Sequence, residues 1–480
     1  MLMLYRLFFI VVISIVGCAT RSFAQKLSIS PKEYINSMES RAEVIGEIED
    51  KTACFLEEYD GYKVLWYDSI QRKWGQSALD FLEGDAQYIT ARAGENSVQI
   101  FYQQRKERWC YLYSAKVLPL HRDTIVPILI DSVELQSNRD RSHFTVFDTE
   151  NKQWFAYGRS AFSVQEKQFA FAIQTVDANG MFGASLRASF GSDQDNSILS
   201  VHINEFNKIA ALLGEPDRSY RSYQKIRVAQ ANGSNQVSYK NLDLSSRVQS
   251  PKVQYDSERG EIHFAGICLG TKYRSGLSAC YASFSQRNQS WSQITTMNNT
   301  GENATDLNRM LLRHFVPRAD GGVVFFLEKS FEEIQTRSRS MAMMPSGMIM
   351  GGGSYNYSVY HNDEVRALSM APNGSIDWQE EVSKSQESSY KNNELHSYGI
   401  LQHPMGSVLL FTDEIGGEPR FVTSFLSKDG EKQQRQFASG AYPEMMDDQI
   451  LIREARQVNS NSIIFPVRAR RIISFVKIKF

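Results

Sequence analysis

Asp193, Asp195, Asn196 and Ser197 follow Gly191 closely and present the oxygen donors that a hard cation such as calcium takes. A solvated turn accounts for the same residues, because Asp, Asn and Ser close turns with their own side chains. Met341, Met343, Met344, Met348 and Met350 put five thioethers into ten residues, soft ligands suited to Cu(I). The same side chains make an adaptable apolar surface, and Pro345 with Gly351, Gly352 and Gly353 reads as an insertion between two strands. The eight His are scattered, and the nearest pair, His396 and His403, has no companion at ligand spacing. The motifs GxSxG, GxxxxGK[ST], HExxH and a complete DxDxDG loop are absent, and Gly266–Lys272 has the wrong spacing for a phosphate loop. No catalytic residue, cofactor site or metal site is assigned on these grounds, and a non-catalytic role is favoured.

The cysteines point to a compartment. Arg6 is followed by the apolar run Leu7–Val16 and by Ser22-Phe23-Ala24, the order of a secretory signal over residues 1–24 with cleavage before Gln25. Ten apolar residues make about 15 Å of helix, half a bilayer, so no transmembrane segment is expected in the mature chain. Ile15-Val16-Gly17-Cys18 resembles a bacterial lipoprotein box, which would make Cys18 a lipid anchor instead. Cys54, Cys110, Cys268 and Cys280 remain, and an oxidising compartment permits bridges. Cys268 and Cys280 flank a turn-like stretch and are the candidates for a local disulfide; four buried thiols are the alternative.

Such residues need a scaffold, and the scaffold reads as β. Runs such as Tyr62–Tyr67, Val98–Tyr102, Trp109–Tyr113, Ile262–Gly266, Val323–Leu327, Val408–Phe411 and Ile463–Val467 are short and rich in β-formers. Asn179-Gly180, Arg259-Gly260, Asp320-Gly321, Asn373-Gly374 and Asp429-Gly430 between them supply the positive φ of tight hairpins. Helices are expected only at Pro31–Glu49, Glu205–Leu213 and Ala304–Arg313. A repeat runs through the strands: Tyr67 to Trp74, Phe147 to Trp154 and Phe284 to Trp291 each span aromatic, small polar, five mostly polar residues and Trp. Met370 to Trp378 is a longer copy, and Leu426–Lys432 a copy without Trp. The Trp spacings of 80, 137 and 87 residues are multiples of the roughly 40–50 residues of one propeller blade.

The chain has 480 residues, net charge −1, and 22 Tyr with 28 Phe, a balance that argues against nucleic-acid binding and for a sheet-rich protein. Tyr357–Trp378, Arg318–Glu328 and the ending Arg470–Phe480 resemble blades of secreted bacterial β-propeller-like proteins of unknown function. That resemblance implies an envelope or secreted propeller. The expected organisation is a signal peptide over 1–24, an N-terminal extension over 25–50, and an all-β, propeller-like domain over 51–480 with seven or eight blades of antiparallel strands. Its last strand is expected to close the ring near Ala53–Glu57. The expected function is a non-catalytic binding or scaffold protein of the cell envelope, periplasmic, extracellular or an outer-membrane lipoprotein, with a protein or glycan partner. A propeller enzyme acting on glycans through channel-facing carboxylates is the alternative.

Overall fold

The structure is a computed structural model. It describes residues 26–480 apart from 36–39, 59–60, 83, 120–124, 136–143, 148, 150, 164–167, 192–196, 205, 218–221, 233–235, 245, 270–276, 298–306, 308, 339–353, 389–395, 416–417 and 438–448. The signal region with Cys18, the oxygen cluster up to Asn196 and the five clustered Met lie outside the described residues.

The described chain is all-β, built of antiparallel sheets, and among the described residues no helix is long and apolar enough to cross a membrane. Sheet I joins Ala42–Ile48, Lys51–Glu58, Gly61–Tyr67 and Lys73–Ala78 in chain order. Sheet II repeats the pattern from Ala86–Ala93 to Ile128–Glu134, and sheet III from Thr145–Phe147 to Phe182–Gly191. Sheet IV has nine strands and consists of two meanders, 197–242 and 248–296, joined only by the pair Tyr223 and Val248. Sheet V runs from Met310–Pro317 to Ile376–Val382, and sheet VI from Gly399–His403 to Lys432–Phe437. Sheet VII combines both ends of the chain: Ile472–Lys479 pairs with Ser462–Ala469 on one side and with Lys26–Ile29 on the other.

The local reasons are on the sequence. All five hairpin glycines, Gly180, Gly260, Gly321, Gly374 and Gly430, take φ between +65° and +88°, which other residues adopt only at a cost. The middle strands of each sheet bury both faces. In sheet I, Phe55, Val64 and Trp66 pack toward Val98 and Ile100 of sheet II. The alternate residues Cys54, Leu56, Leu65 and Tyr67 pack toward Ile464, Ile473 and Phe475 of sheet VII. Two-sided burial explains why these strands read as continuous apolar runs and not as alternations. The same arrangement recurs between successive sheets, for example Phe101 with Phe155 (II to III) and Leu368 with Ala265 (V to IV).

Several expectations are corrected. Where periodicity predicts a helix over Pro31–Glu49, the chain forms the strands Glu33–Tyr34 and Ala42–Ile48. Val44, Ile45 and Ile48 fit a helical spacing, but their burial against two neighbouring sheets decides the outcome. Residues 25–50 are therefore not separate from the domain: Lys26–Ile29 and Glu33–Tyr34 belong to sheet VII, and Ala42–Ile48 opens sheet I. The helices expected at Glu205–Leu213 and Ala304–Arg313 are not borne out over their described second halves, since Ile209–Pro216 and Met310–Pro317 are strands; residues 205, 304–306 and 308 lie outside the described residues. Ala53–Glu57 does not receive the last strand, because Lys51–Glu58 is already paired on both edges.

Candidate ligand-binding cavity

The first strands of the sheets share an irregularity. Ala42–Ile48, Ala86–Ala93, Ser197–Ile203, Val248–Asp256, Met310–Pro317 and Arg456–Asn459 each carry a register shift against the second strand. Such bulges bend a strand and re-aim its side chains. They fall at Ile45, Ile89, Leu199, Ser250-Pro251, Arg313 and Val458.

Five of these first strands, with Thr145–Phe147 and the turn after it, surround one cavity of about 640 Å³. Bulge residues Ile45, Leu199 and Val458 are in its wall. Its charged lining is Glu47, Arg92, Lys152 and Arg456. Hydroxyl and amide groups come from Thr149, Asn151, Ser200, Gln254 and Gln457, and rings from Phe147, Phe155 and Tyr255. The volume falls within the range of small-molecule pockets, roughly 300–1,000 Å³.

Glu47 is the one carboxylate in the described lining, and both of its oxygens are engaged. Lys477 Nζ donates to Oε1 at 2.9 Å and Asn459 Nδ2 to Oε2 at 2.9 Å. Lys477 sits on the last strand, so it offsets the Glu47 charge from behind the wall. His202 contributes no charge near neutrality: burial pulls its imidazole down to about 4. Its Nε2 lies 3.0 Å from Ser200 Oγ, and its ring stands 5.3 Å from that of Tyr255. Arg92, Lys152 and Arg456 also contribute to the described wall, and Arg456 Nη1 donates to Val44 O at 3.4 Å.

A second polar cluster lies where sheets V and VI meet. Glu328 and Lys384 are wholly buried; Arg313, the bulge residue of sheet V, donates to Glu328 at 2.7 Å, and Ser397 Oγ donates to it at 2.9 Å. Lys384 also donates to Asn362 O at 2.7 Å. Burial pulls His314 and His396 down to about 4, helped by the cations beside them. This cluster joins two sheets, through Ser397 Oγ of the chain entering sheet VI and Glu328 of sheet V.

The residues singled out in the sequence fall elsewhere. Trp74, Trp291 and Trp378 lie in fourth strands, after the turn from the third, whereas Trp154 opens a second strand. Trp291 Nε1 donates to Lys240 O of the neighbouring meander, and Trp378 Nε1 to Lys428 O of sheet VI, so both tie adjacent sheets together. Trp74 is 41% exposed, with the Lys51 ammonium 4.9 Å above its ring. Cys268 and Cys280 lie on paired strands and stand as buried free thiols; contact with Cys280 pulls the Cys268 thiol down, while Cys280 is raised. Sequence reading found none of Glu47, Arg92, Lys152, His202 or Arg456. They are spread over more than 400 residues, and the only local signal was a charged or polar residue interrupting a first strand.

No family model and no curated protein matches the chain. Among solved structures it is similar to a prolyl endopeptidase examined for inter-domain dynamics, at 9% identity and a TM-score of 0.38, over 91% of this chain and 54% of that one. Prolyl oligopeptidase B from Galerina marginata gives 7% and 0.41 over 92% and 55%, and a mutant apocarotenoid oxygenase from Synechocystis gives 10% and 0.33 over 87% and 94%. The chain spans about half the length of the two peptidases. At this level of superposition the architecture rests on strand pairing and not on these likenesses.

Proposed function

We propose that the chain is an exported eight-bladed propeller of the bacterial cell envelope that binds a ligand in its central cavity without transforming it. Counting the two meanders of sheet IV separately gives eight antiparallel units of four to six strands. Eight apolar clusters lie between successive units, the last joining sheet VII to sheet I. The pairing of Lys26–Ile29 with Ile472–Lys479 then acts as the clasp of the ring. Blades of this kind cannot cover both faces alone, and closing the ring covers them. Export rests on the leader sequence, either cleaved after Ala24 or lipidated at Cys18.

The observation that carries the binding reading is the cavity wall. A glycan hydrolase uses two carboxyl groups about 5–9 Å apart. In the described wall both oxygens of Glu47 are already engaged, by Lys477 and Asn459, which supports a binding role for this group. The protein spanning residues 25–480 should retain soluble cell-wall muropeptides on a column and release them unchanged. New reducing ends appearing in proportion to protein concentration would establish the hydrolase in place of the binder; failure to retain any muropeptide would remove the glycan partner.

A further inference from the structure

We propose that the chain forms a twofold-symmetric dimer by pairing the outer edge of Val323–Ser338 with the same edge of a second copy, antiparallel about Gln335. The inference goes beyond ligand binding and does not depend on it.

Sheet V carries the observation. Its two middle strands, Val323–Ser338 and Ser354–Met370, have 16 and 17 residues, whereas Met310–Pro317 and Ile376–Val382 beside them have 8 and 7. Beyond Ser330 the first of them pairs, among the described residues, with Ser354–Met370 alone. The preceding strand does not continue along the other edge. Arg309 has φ of +62°, Met310 N donates to Leu307 O at 3.1 Å, and Leu307 is buried with Ala265 and Met297 toward sheet IV. Ser330 N donates to Arg309 O at 2.8 Å, so Ser330 aims its backbone groups at the outer edge. Alternation aims those of Glu332, Ile334, Thr336 and Ser338 the same way. A two-stranded ribbon is marginal in water, and a row of unpaired N–H and C=O groups is a template for another strand.

The side chains select a second copy as that strand. Self-pairing centred on Gln335 sets Glu333 of each copy opposite Arg337 of the other. Glu332 then faces Ser338 and Ile334 faces Thr336, so no like charges meet. Centring on Glu332 or Glu333 would set two carboxylates against each other. Centring on Ile334 would set Arg337 against Phe331, whose ring already holds Arg309 and Lys329. Within its own chain Glu333 Oε2 meets Gln335 Nε2 at 3.0 Å and His361 Nε2 at 3.3 Å, and the carboxylate is still 53% exposed. Glu333 and Arg337 lie four residues apart on one strand, about 13 Å, too far to pair within one chain. Ile334, 69% exposed, gains a β-branched neighbour. Residues 339–353 lie outside the described residues, and the pairing stops at Ser338. An edge of this length buries little area, so the dimer is weak and concentration-dependent.

The test is sedimentation of the protein spanning 25–480 from about 1 to about 200 µM, with hydrogen exchange at both ends of that range. The mass should rise from monomer toward dimer, and the amides of Glu332, Ile334 and Thr336 should exchange more slowly in the concentrated sample. Ile334→Pro removes one outward N–H without touching the pairing to Ser354–Met370, and should give a monomer. Glu333→Arg and Arg337→Glu should each raise the dissociation constant at least about tenfold, because each sets like charges across both pairs. Mixed one to one, these two variants should recover the association, since every Arg again faces a Glu. A parent that stays monomeric at about 200 µM would overturn the dimer and leave the edge to a strand of another protein. A dimer that survives Ile334→Pro, or a mixture no more associated than its components, would place the contact elsewhere and equally overturn it. Should Ile334→Pro fail to fold, the mixing experiment and hydrogen exchange on the parent decide.

Discussion

Lys384 Nζ lies 2.8 Å from Glu328 Oε1, and neither side chain has any surface in contact with solvent. Burial pushes the Glu328 carboxyl up, and Lys384 with Arg313 overcomes that push, so the group ends below the usual carboxylate range. Removing Glu328 strands the Lys384 charge in the interior, and removing Lys384 leaves the buried carboxylate with Arg313 and Ser397 on Oε2 and no cation at Oε1. Lys384→Met should destabilise the protein by about 3–5 kcal/mol in urea unfolding. The double change Lys384→Met with Glu328→Leu should recover part of that loss, because no wholly buried charge remains and Arg313, which loses its carboxylate partner, is about a quarter exposed and reaches water. Equal stability of the single variant and the parent would mean that water reaches the pair.

His202 should make stability fall on mild acidification. Burial holds its folded-state pKa at about 4 against the ordinary 6.5. Between those values the unfolded chain takes up a proton that the folded one refuses, so stability drops as pH falls from 6.5 toward 4 and is regained above 6.5. At about 1.4 kcal/mol per unit, the contribution is on the order of 3 kcal/mol. His202→Asn should flatten the pH dependence of the urea midpoint across this window; an unchanged slope would assign it to other groups, His314 and His396 first.

Trp378 and Gly430 form a lock between sheets V and VI. A Cβ on Gly430 would stand 2.8 Å from Trp378 Cδ2, and Gly430 has φ of +87°. Gly430→Ala should therefore cost about 1–3 kcal/mol through strain and clash together. Trp378→Phe should cost about 1–2 kcal/mol by leaving Lys428 O without its indole donor. Thermal melts of the two single variants and their combination should be non-additive, since both act on one contact. Additivity would show that the two residues act separately.

The terminal strand should matter more than its four residues imply. Leu27 and Ile29 pack with the apolar cluster of sheets VI and VII. Beginning the chain at residue 31 should lower stability by about 2–4 kcal/mol, the scale of two aliphatic side chains leaving partial burial. It should also raise the tendency to self-associate, because Ile472–Lys479 would present an open edge. Light scattering and urea titration of the 25–480 and 31–480 proteins make the comparison.

Sheet content and hairpins were legible because they depend on neighbours in sequence. Asp429-Gly430 and Asn373-Gly374 carry their turn geometry in two residues, and Val408–Phe411 carries its strand in four. The helix expected over Pro31–Glu49 failed for the opposite reason: Ile45 and Ile48 satisfy a helical period locally, and only contact with other sheets selects the strand. The cavity was invisible on the same ground. Arg92 and Arg456 meet one space although 364 residues separate them, and nothing local marks either as lining it. The Trp repeat was half legible. Its spacing located hairpins correctly, but Trp154 sits in the first turn of its sheet and the other three in the last, so equal spacing did not mean equal position.

The pairing of Lys26–Ile29 with Ile472–Lys479 sets a timetable. Lys26–Ile29 waits for a strand made about 450 residues later, so sheet VII cannot complete until Ile472–Lys479 has been synthesised. Joining ends about 450 residues apart carries a loop-closure cost of about 5 kcal/mol if nothing between them is folded. The intervening sheets, each a local meander, shorten that span as they form. Folding should then proceed sheet by sheet and end in one late step that requires Ile472–Lys479, and a product truncated before it would be left with an open edge for proteases to find.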